Sequence, residues 1–394
     1  MQTPAPILIA GGGIGGLALA LALARKNFPS IVLERREDFQ TAGAGIQLGP
    51  NGVRVLQGLG LAEAMHPLVG EPDALMIRSG RTAAHLARLP LGKWIAARHG
   101  APYWVAHRGD LHRTLIAAAT GDPHITLRMG FEVATLAQTA ATVTATSTVG
   151  EAVTAPALVA ADGLWSRVRH HLYPASLPDF AGATATRTVI PAARAGVLAV
   201  NEVGLWLTPG THVVHYPVRS GTEIAVVIIA RESSWQVRGW DAPGDACAVA
   251  ARLSGFAPPL REALAAAPEW RRWALFRLPP LPRWSYGRIT LMGDAAHPML
   301  PYLAQGGVLA LEDALVLADA LAATDATQAL RAYERGRRAR ATRVQAASLR
   351  QGRLYHLPPP FSWARDSLLR LMPGAVLMSS LDWMYGWTGG PPRP

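Results

Sequence analysis

The stretch Ile7-Leu-Ile-Ala-Gly-Gly-Gly-Ile-Gly-Gly16 decides how the chain is read. Four apolar residues run straight into a glycine cluster, and a helix-forming run follows over residues 17–25. The order is strand, tight turn, helix. Gly11, Gly13 and Gly16 satisfy the G-x-G-x-x-G spacing. In that spacing the first glycine turns the chain, the second admits a pyrophosphate to the backbone, and the third lets helix and strand pack closely. The free N–H groups of the helix start then face the phosphates. A second apolar run, Ser30-Ile-Val-Leu33, ends at Glu34, 18 residues after Gly16, where a carboxylate can accept hydrogen bonds from a ribose diol. The stretch therefore predicts a dinucleotide site.

An apolar run from 7 to 24 could also enter a membrane. No Lys or Arg precedes it, however, glycines interrupt it, and the cationic segment of a signal peptide is missing. Gly11 and Gly15 fit a membrane G-x-x-x-G pattern, but that reading leaves Glu34 after a β-type run unexplained. We expect no membrane span.

Composition narrows the remaining classes. A chain of 394 residues, half of them hydrophobic, is long enough for two or three domains with a large core. Cys247 is the single cysteine, which excludes an intrachain disulfide and a cysteine-built zinc site and favours a reducing cytoplasm. It lies in an Ala-rich segment and reads as core filler, and no metal ligands are assigned. The formal charge is +11, but the cations are dispersed, and all but Lys26 and Lys93 are arginine. The one dense run, 331–343, places Arg331, Arg335 and Arg338 on one helical face, which reads as solvated. Nucleic acid is thus not the expected partner. A positive field favours anionic small molecules reaching a cleft.

Residues 42–51 are too glycine-rich for a regular element and read as a loop. A helix is expected over 52–66, and strands over 74–78 and 83–86 that join a second sheet. His107-Arg-Gly-Asp-Leu111 leads into a helix with Asp110 as its N-cap. Short runs at 125–129, 132–135, 141–146 and 152–153 read as an antiparallel meander, followed by a buried strand, 157–161, that ends on Asp162-Gly163. Residues 183–230 suggest an inserted antiparallel sheet. In it, 211–217 and 222–230 flank a Ser220-Gly221 turn and form a hairpin. His212, Val214 and Tyr216 then share one strand face, and His215 points the other way. A buried strand at 288–292 stops at Gly293-Asp294, and a proline-containing loop leads into a helix over 308–322. Further helices and a Leu/Met/Trp-rich tail to Trp387 follow, the tail reading as a packing or homodimer surface.

Three sites in this order, Gly11-x-Gly-x-x-Gly16 with Glu34, Ala161-Asp-Gly163, and Gly293-Asp-Ala-Ala-His-Pro298, resemble the single-component FAD-dependent aromatic hydroxylases, the group A flavoprotein monooxygenases. Pro301 and Gln305-Gly306 strengthen the likeness. The runs Gly43-Ala-Gly-Ile46 and Leu381-Asp-Trp-Met-Tyr-Gly-Trp387 are similar to the salicylate, 3-hydroxybenzoate and 6-hydroxynicotinate hydroxylase branch. The resemblance implies an α/β fold: a Rossmann-like FAD-binding domain of parallel sheet and β-meander, with an inserted antiparallel-sheet substrate domain and C-terminal helices. The FAD-binding segments would be 1–71, 99–174 and 276–350, the substrate domain 72–98 and 175–275, and the helical tail 351–394.

Tightly held, non-covalent FAD is implied, with NADH or NADPH as a transient co-substrate, since no second glycine fingerprint followed by an acid exists. Dioxygen and a small aromatic acid complete the reactants, and the ring would be hydroxylated through a C4a-hydroperoxyflavin. Glu34 and its neighbour Arg35 would hold the adenosine end, Arg108, Asp162 and Asp294 would lie along the cofactor, and Gln305, Gly306 and Gly307 would meet the flavin. That loop has its own physical sense, because a helix start carries partial positive charge suited to an anionic reduced flavin. Pro301 would line the site with Tyr302, adding a carbonyl and no donor.

His212 is the expected base that takes the phenolic proton, with Tyr216 orienting the ring and Gln47 touching it. A histidine near 6.5 facing a phenol near 10 is mismatched by roughly 3.5 units, about 5 kcal/mol, so a cationic neighbourhood is expected to favour the phenolate. Gln47 stands where hydroxynicotinate enzymes tend to carry histidine, and Pro301 where the 3-hydroxybenzoate type tends to lack proline. Salicylate or a related hydroxybenzoate is the implied substrate, with 6-hydroxynicotinate the alternative. A flavin-binding sensor without turnover, and a membrane-associated lipid or isoprenoid epoxidase, are the competing classes.

Overall fold

The computed structural model describes residues 4–39, 45–236 and 241–389. Its centre is a six-stranded sheet whose order is Ser285–Tyr286, Ile289–Leu291, Leu158–Ala160, Ile7–Ala10, Ser30–Leu33 and Ile125–Arg128. All pairs are parallel except the first. The strands are continuous apolar runs because helices cover them. Helix Ile14–Ala24 lies against helix Gly306–Ala323, and a Cβ on Gly15 would stand 3.2 Å from that of Ala310.

An eight-stranded sheet runs Asp241–Gly244, Trp270–Arg277, Asp179–Pro191, Glu223–Arg231, Thr211–Val218, Glu202–Thr208, Ala74–Ser79 and His85–Pro90. Its pairs are antiparallel apart from Glu202–Thr208 with Ala74–Ser79. The expected hairpin stands at its middle, turning through Arg219, Ser220 and Gly221, all at positive φ. This α/β arrangement of a parallel sheet with separate antiparallel sheets is the expected fold class. Among the described residues no helix is long and apolar enough to cross a membrane.

Several local expectations are corrected. The run near 125–129 is not part of the meander: Ile125–Arg128 pairs in parallel with Ser30–Leu33, and the meander keeps Val133–Gln138, Val143–Ser147 and Ala152–Ala155. Local alternation cannot tell a parallel edge strand from a meander strand. The loop at 42–51 contains the strand Gly45–Leu48, paired with Trp104–His107, and Pro50 already starts a helix; residues 42–44 lie outside the described set. The helix expected over 52–66 breaks at Gly60, φ +73°, into Pro50–Gly58 and Ala62–Met65. His107, not Asp110, caps its helix, accepting from the Gly109 N–H at 3.2 Å, while Asp110 pairs with Arg113 and Arg219. Cys247 is exposed rather than core, on the short helix Ala246–Arg252.

The tail divides in two. Residues 381–387 dock on the core, where the Arg54 Nε donates to the Trp387 carbonyl at 3.0 Å and Arg340 donates to the Trp383 and Met384 carbonyls. Phe361, Trp363, Leu371 and Val376 point outward. Arg331, Arg335 and Arg338 are exposed, as their spacing predicts.

Candidate active site

The glycine turn and the two acid-bearing turns leave one edge of the parallel sheet together. Ala10 lies opposite Ala160, and Ala160 opposite Leu291, so the turns at Gly11, Asp162 and Gly293-Asp294 are neighbours at the strands' carboxyl ends. That edge is where ligands of open α/β sheets bind.

The first turn is shaped for a phosphate-bearing ligand. Gly11 has φ +106°, and a Cβ there would meet the Ala161 carbonyl at 2.5 Å. A Cβ on Gly16 would come within 2.0 Å of the Gly11 carbonyl. Gly13, the cap of helix Ile14–Ala24, has nothing within 4 Å of its Cβ position, and no acidic residue occupies the helix's first turn. Open space over free N–H groups suits a pyrophosphate. Glu34 accepts from the Gly12 N–H at 2.9 Å and the Arg36 N–H at 3.1 Å, leaving lone pairs for a diol. Arg35 beside it is exposed.

The other two turns are held by a residue the sequence did not single out. Buried Arg169 donates to the Leu164 carbonyl at 2.5 Å and the Ala295 carbonyl at 3.1 Å, linking the Asp162 and Asp294 turns. Asp162 accepts from the Val168 N–H at 3.2 Å through Oδ2, while its buried Oδ1 has no partner. Burial raises its pKa, against the hydrogen bonds it accepts. Asp294 and Arg108 keep surface open to the cleft although protein crowds around them. Burial raises the Asp294 pKa, and His297, Arg108 and Arg169 oppose it. An orphaned carboxylate oxygen, an open glycine cradle and a facing cation and anion all fit a dinucleotide laid along this edge.

Behind Asp294 lies a buried ionic cluster. Asp313 accepts from the Gly293 N–H at 3.0 Å, lies 2.6 Å from His297 Nε2, and accepts from Arg337 Nε at 2.7 Å. Burial works to raise its pKa, but His297 and Arg337 hold it well below the usual carboxylate range. Glu312 pairs with Arg337 and Arg340 and accepts from Asn51 at 2.7 Å. Gln305 is buried, and its side chain accepts from Asn51 at 2.9 Å, so what it offers the cleft is backbone. Gly306 and Gly307 form the helix start beside it, and Pro301 opens the turn Pro301–Leu303 just before.

The eight-stranded sheet supplies the opposite wall. His212 and Tyr216 share its inner face, as the strand period predicts, with half-buried Val214 between them. The His212 ring is surrounded by Tyr302 at 5.8 Å, Tyr355 at 5.1 Å and His356 at 5.0 Å, and its Nδ1 lies 2.8 Å from His356 Nε2. Burial, and then His356, pushes the His212 pKa well below that of an ordinary histidine. Tyr216 is buried, and burial pushes it up to about 12 against Arg187 and a hydrogen bond from Gln47. Gln47 also accepts from the Tyr103 hydroxyl at 2.6 Å. His215 faces away, buried with neither ring nitrogen partnered. Tyr103, Arg187, Tyr355 and His356 escaped sequence reading; His356 lies 144 residues from His212, and no local pattern joins them.

Residues 4–348 match the family described as FAD binding domain. The chain belongs to this FAD-binding family. The 3-hydroxybenzoate 6-hydroxylase of Polaromonas naphthalenivorans (strain CJ2) is 34% identical over 98% of this chain and 96% of that protein. The 3-amino-4-hydroxybenzoate 2-monooxygenase PtmB3 of Streptomyces platensis is 37% identical with the same coverage. A salicylate hydroxylase solved as its substrate complex superposes with a TM-score of 0.84 at 26% identity, covering 98% of this chain and 97% of that one. The FAD-binding protein is thus an FAD-dependent aromatic monooxygenase, with NAD(P)H as co-substrate.

Proposed function

We propose that the chain hydroxylates a small phenolic acid, salicylate or a hydroxybenzoate, with His212 as base and Tyr216 as the orienting hydroxyl. The observation that carries this reading is His212 and Tyr216 on one sheet face, with Val214 leaving space between them. Four residues along a strand span roughly 13 Å, enough for one substituted ring. FAD, when bound, supplies the oxygen transfer, with electrons from NAD(P)H and oxygen from dioxygen. Gly11, Gly13, Gly16, Glu34, Arg35, Arg108, Asp162, Asp294 and the backbone of Gln305, Gly306 and Gly307 would hold it. Pro301 and Tyr302 wall the ring, and Gln47 keeps Tyr216 in place. A neutral His212 accepts the phenolic proton, making the ring electron-rich. In this reading 1–71, 99–174 and 276–350 carry the cofactor, 72–98 and 175–275 the substrate, and 351–394 is the C-terminal helical tail.

The relatives named for hydroxybenzoates share a carboxylated phenol with salicylate, which favours an aromatic acid over a neutral phenol. A 6-hydroxynicotinate 3-monooxygenase of Bordetella bronchiseptica (strain ATCC BAA-588 / NCTC 13252 / RB50), 34% identical over 88% of this chain and 91% of that protein, supports the N-heteroaromatic acid as the second reading. The test is a panel of phenolic acids scored by NADH oxidation and product mass. A product heavier by one oxygen from a hydroxybenzoate is expected. Flavin-bound protein that leaves NADH oxidation unmoved by every phenol would return the non-turning-over sensor.

A further inference from the structure

Residues paired directly across neighbouring strands lie on one side of a sheet. Arg187 faces Val227, and Val227 faces Val214. This row runs between the row of Ala185, Ile229 and His212 and the row of Val189, Ala225 and Tyr216. Arg187 therefore projects on the face that carries His212 and Tyr216, two strands away from both. The His212 row is sealed, with no member more than 2% exposed. In the Arg187 row, Arg187 and Val214 are only half-buried. The Arg187 row is therefore the more accessible of the two.

Arg187 has no acidic partner among the described residues. Its buried Nε has no hydrogen-bond partner, and its guanidinium lies 5.1 Å from the centre of the Trp273 ring. The titratable groups that act on it are the Tyr216 phenol and a second cation, Arg108. Burial, aided by Arg108 and opposed by Tyr216, lowers its pKa. A guanidinium taken out of water without an anion is unfavourable, and its planar fork matches a carboxylate's two oxygens. The other charged side chains on this face are Arg271, directly opposite Arg187, Arg231, and Glu223, which is paired with Arg219. No acid among the described residues pairs with Arg187, which leaves its charge open to an anionic ligand.

We propose that Arg187 is the carboxylate anchor of the aromatic acid, gripping it through paired N–H donors while the ring lies over Val214 and Val227 between His212 and Tyr216. The proposal rests on the hydroxylase reading and narrows it to phenols that carry a carboxylate. It also supplies the cationic neighbour that a weakly basic His212 needs, because a guanidinium on this face favours phenolate over phenol.

The experiment compares 3-hydroxybenzoate and salicylate with their carboxamides, titrated against the FAD-loaded protein by the change in flavin absorbance. FAD content is measured in parallel for the natural protein, Arg187→Met and Arg187→Lys. The natural protein should bind at least one acid tenfold or more tightly than its amide. Arg187→Met should bring that ratio close to one, and Arg187→Lys should keep part of it. An unchanged ratio in Arg187→Met, or equal binding of acid and amide by the natural protein, overturns the anchor. A loss of FAD with an unchanged ratio overturns it in favour of a cofactor role for Arg187. Should Arg187→Met fail to fold, the natural protein's ratio and that of Arg187→Lys decide. If no phenol, charged or neutral, is hydroxylated, the hydroxylase reading falls; if neutral phenols are hydroxylated as readily as acids, only the anchor does.

Discussion

His212 Nδ1 and His356 Nε2 lie 2.8 Å apart, joining the eight-stranded sheet to the end of the 30-residue helix Ala326–Tyr355. The contact occupies His212 Nδ1, so Nε2 is the ring nitrogen a ligand would meet. With His212 as the proposed base, His356 is expected to act through it, as a positioning residue. His212→Ala is expected to lower hydroxylation by about 10²–10⁴-fold, with NADH consumption diverted to peroxide. His356→Leu should cost less, on the order of tenfold, and His356→Asn should restore part of it because a carboxamide can still bond Nδ1. Oxygen uptake, peroxide and product are the measurements, and equal coupling in all three variants would remove the pair from the mechanism.

The same pair predicts a direction with pH. Burial, then Arg231 and Arg365, lowers His356 to about 4, and His212 is held well below its ordinary value. Folded pKa values lie below unfolded ones here, so as pH falls below about 6.5 the unfolded chain takes up protons the folded chain refuses. Stability is full above that pH and is lost towards pH 4, by roughly 3 kcal/mol for His356 alone. Thermal unfolding of His356→Leu should therefore fall less between pH 7 and pH 4 than that of the natural protein. The acid limb of kcat should lie well below 6.5, since the base is neutral throughout.

Asp313 is the keystone of the loop that presents Asp294. It bonds the Gly293 N–H, His297 and Arg337 from a wholly buried position. Asp313→Ala leaves the Arg337 guanidinium in the interior with Glu312 as its remaining counter-charge. Removing one member of a buried ionic group costs about 3–5 kcal/mol, so denaturant unfolding should show a loss of that size. Asp313→Asn, which keeps hydrogen-bonding capacity, should lose less.

What could be read in advance follows the range of the interactions. The glycine turn, the hairpin and the shared face of His212 and Tyr216 are set by spacing within a few residues, and each stands where its period puts it. The assignment of Ile125–Arg128 to the meander failed because strand partnership depends on Ser30–Leu33, far back in the chain. Asp110 looked like a cap because Asp favours that position, but its carboxylate is drawn to Arg219, 109 residues away, and His107 takes the role. Arg169, Arg187 and His356 carry no local signature. An arginine whose neighbours are another strand's aromatic rings is indistinguishable in sequence from a solvated one.

The glycines of the opening turn separate folding from cofactor binding. A Cβ on Gly16 would stand 2.0 Å from the Gly11 carbonyl, a clash with backbone that no side-chain movement relieves. Gly16→Ala should therefore destabilise the protein itself. Gly13 has φ −77° and ψ −176°, which alanine adopts freely, and its Cβ would enter empty space. Gly13→Ala should fold and, stripped of cofactor, unfold at the temperature of the natural apoprotein, because nothing in the chain is displaced. What the methyl does fill is the space over the start of helix Ile14–Ala24, where the N–H groups would meet the phosphates of FAD. FAD affinity should fall by at least tenfold, read from the flavin fluorescence that appears on dilution. A Gly13→Ala protein that keeps its yellow colour through dilution would place the pyrophosphate elsewhere.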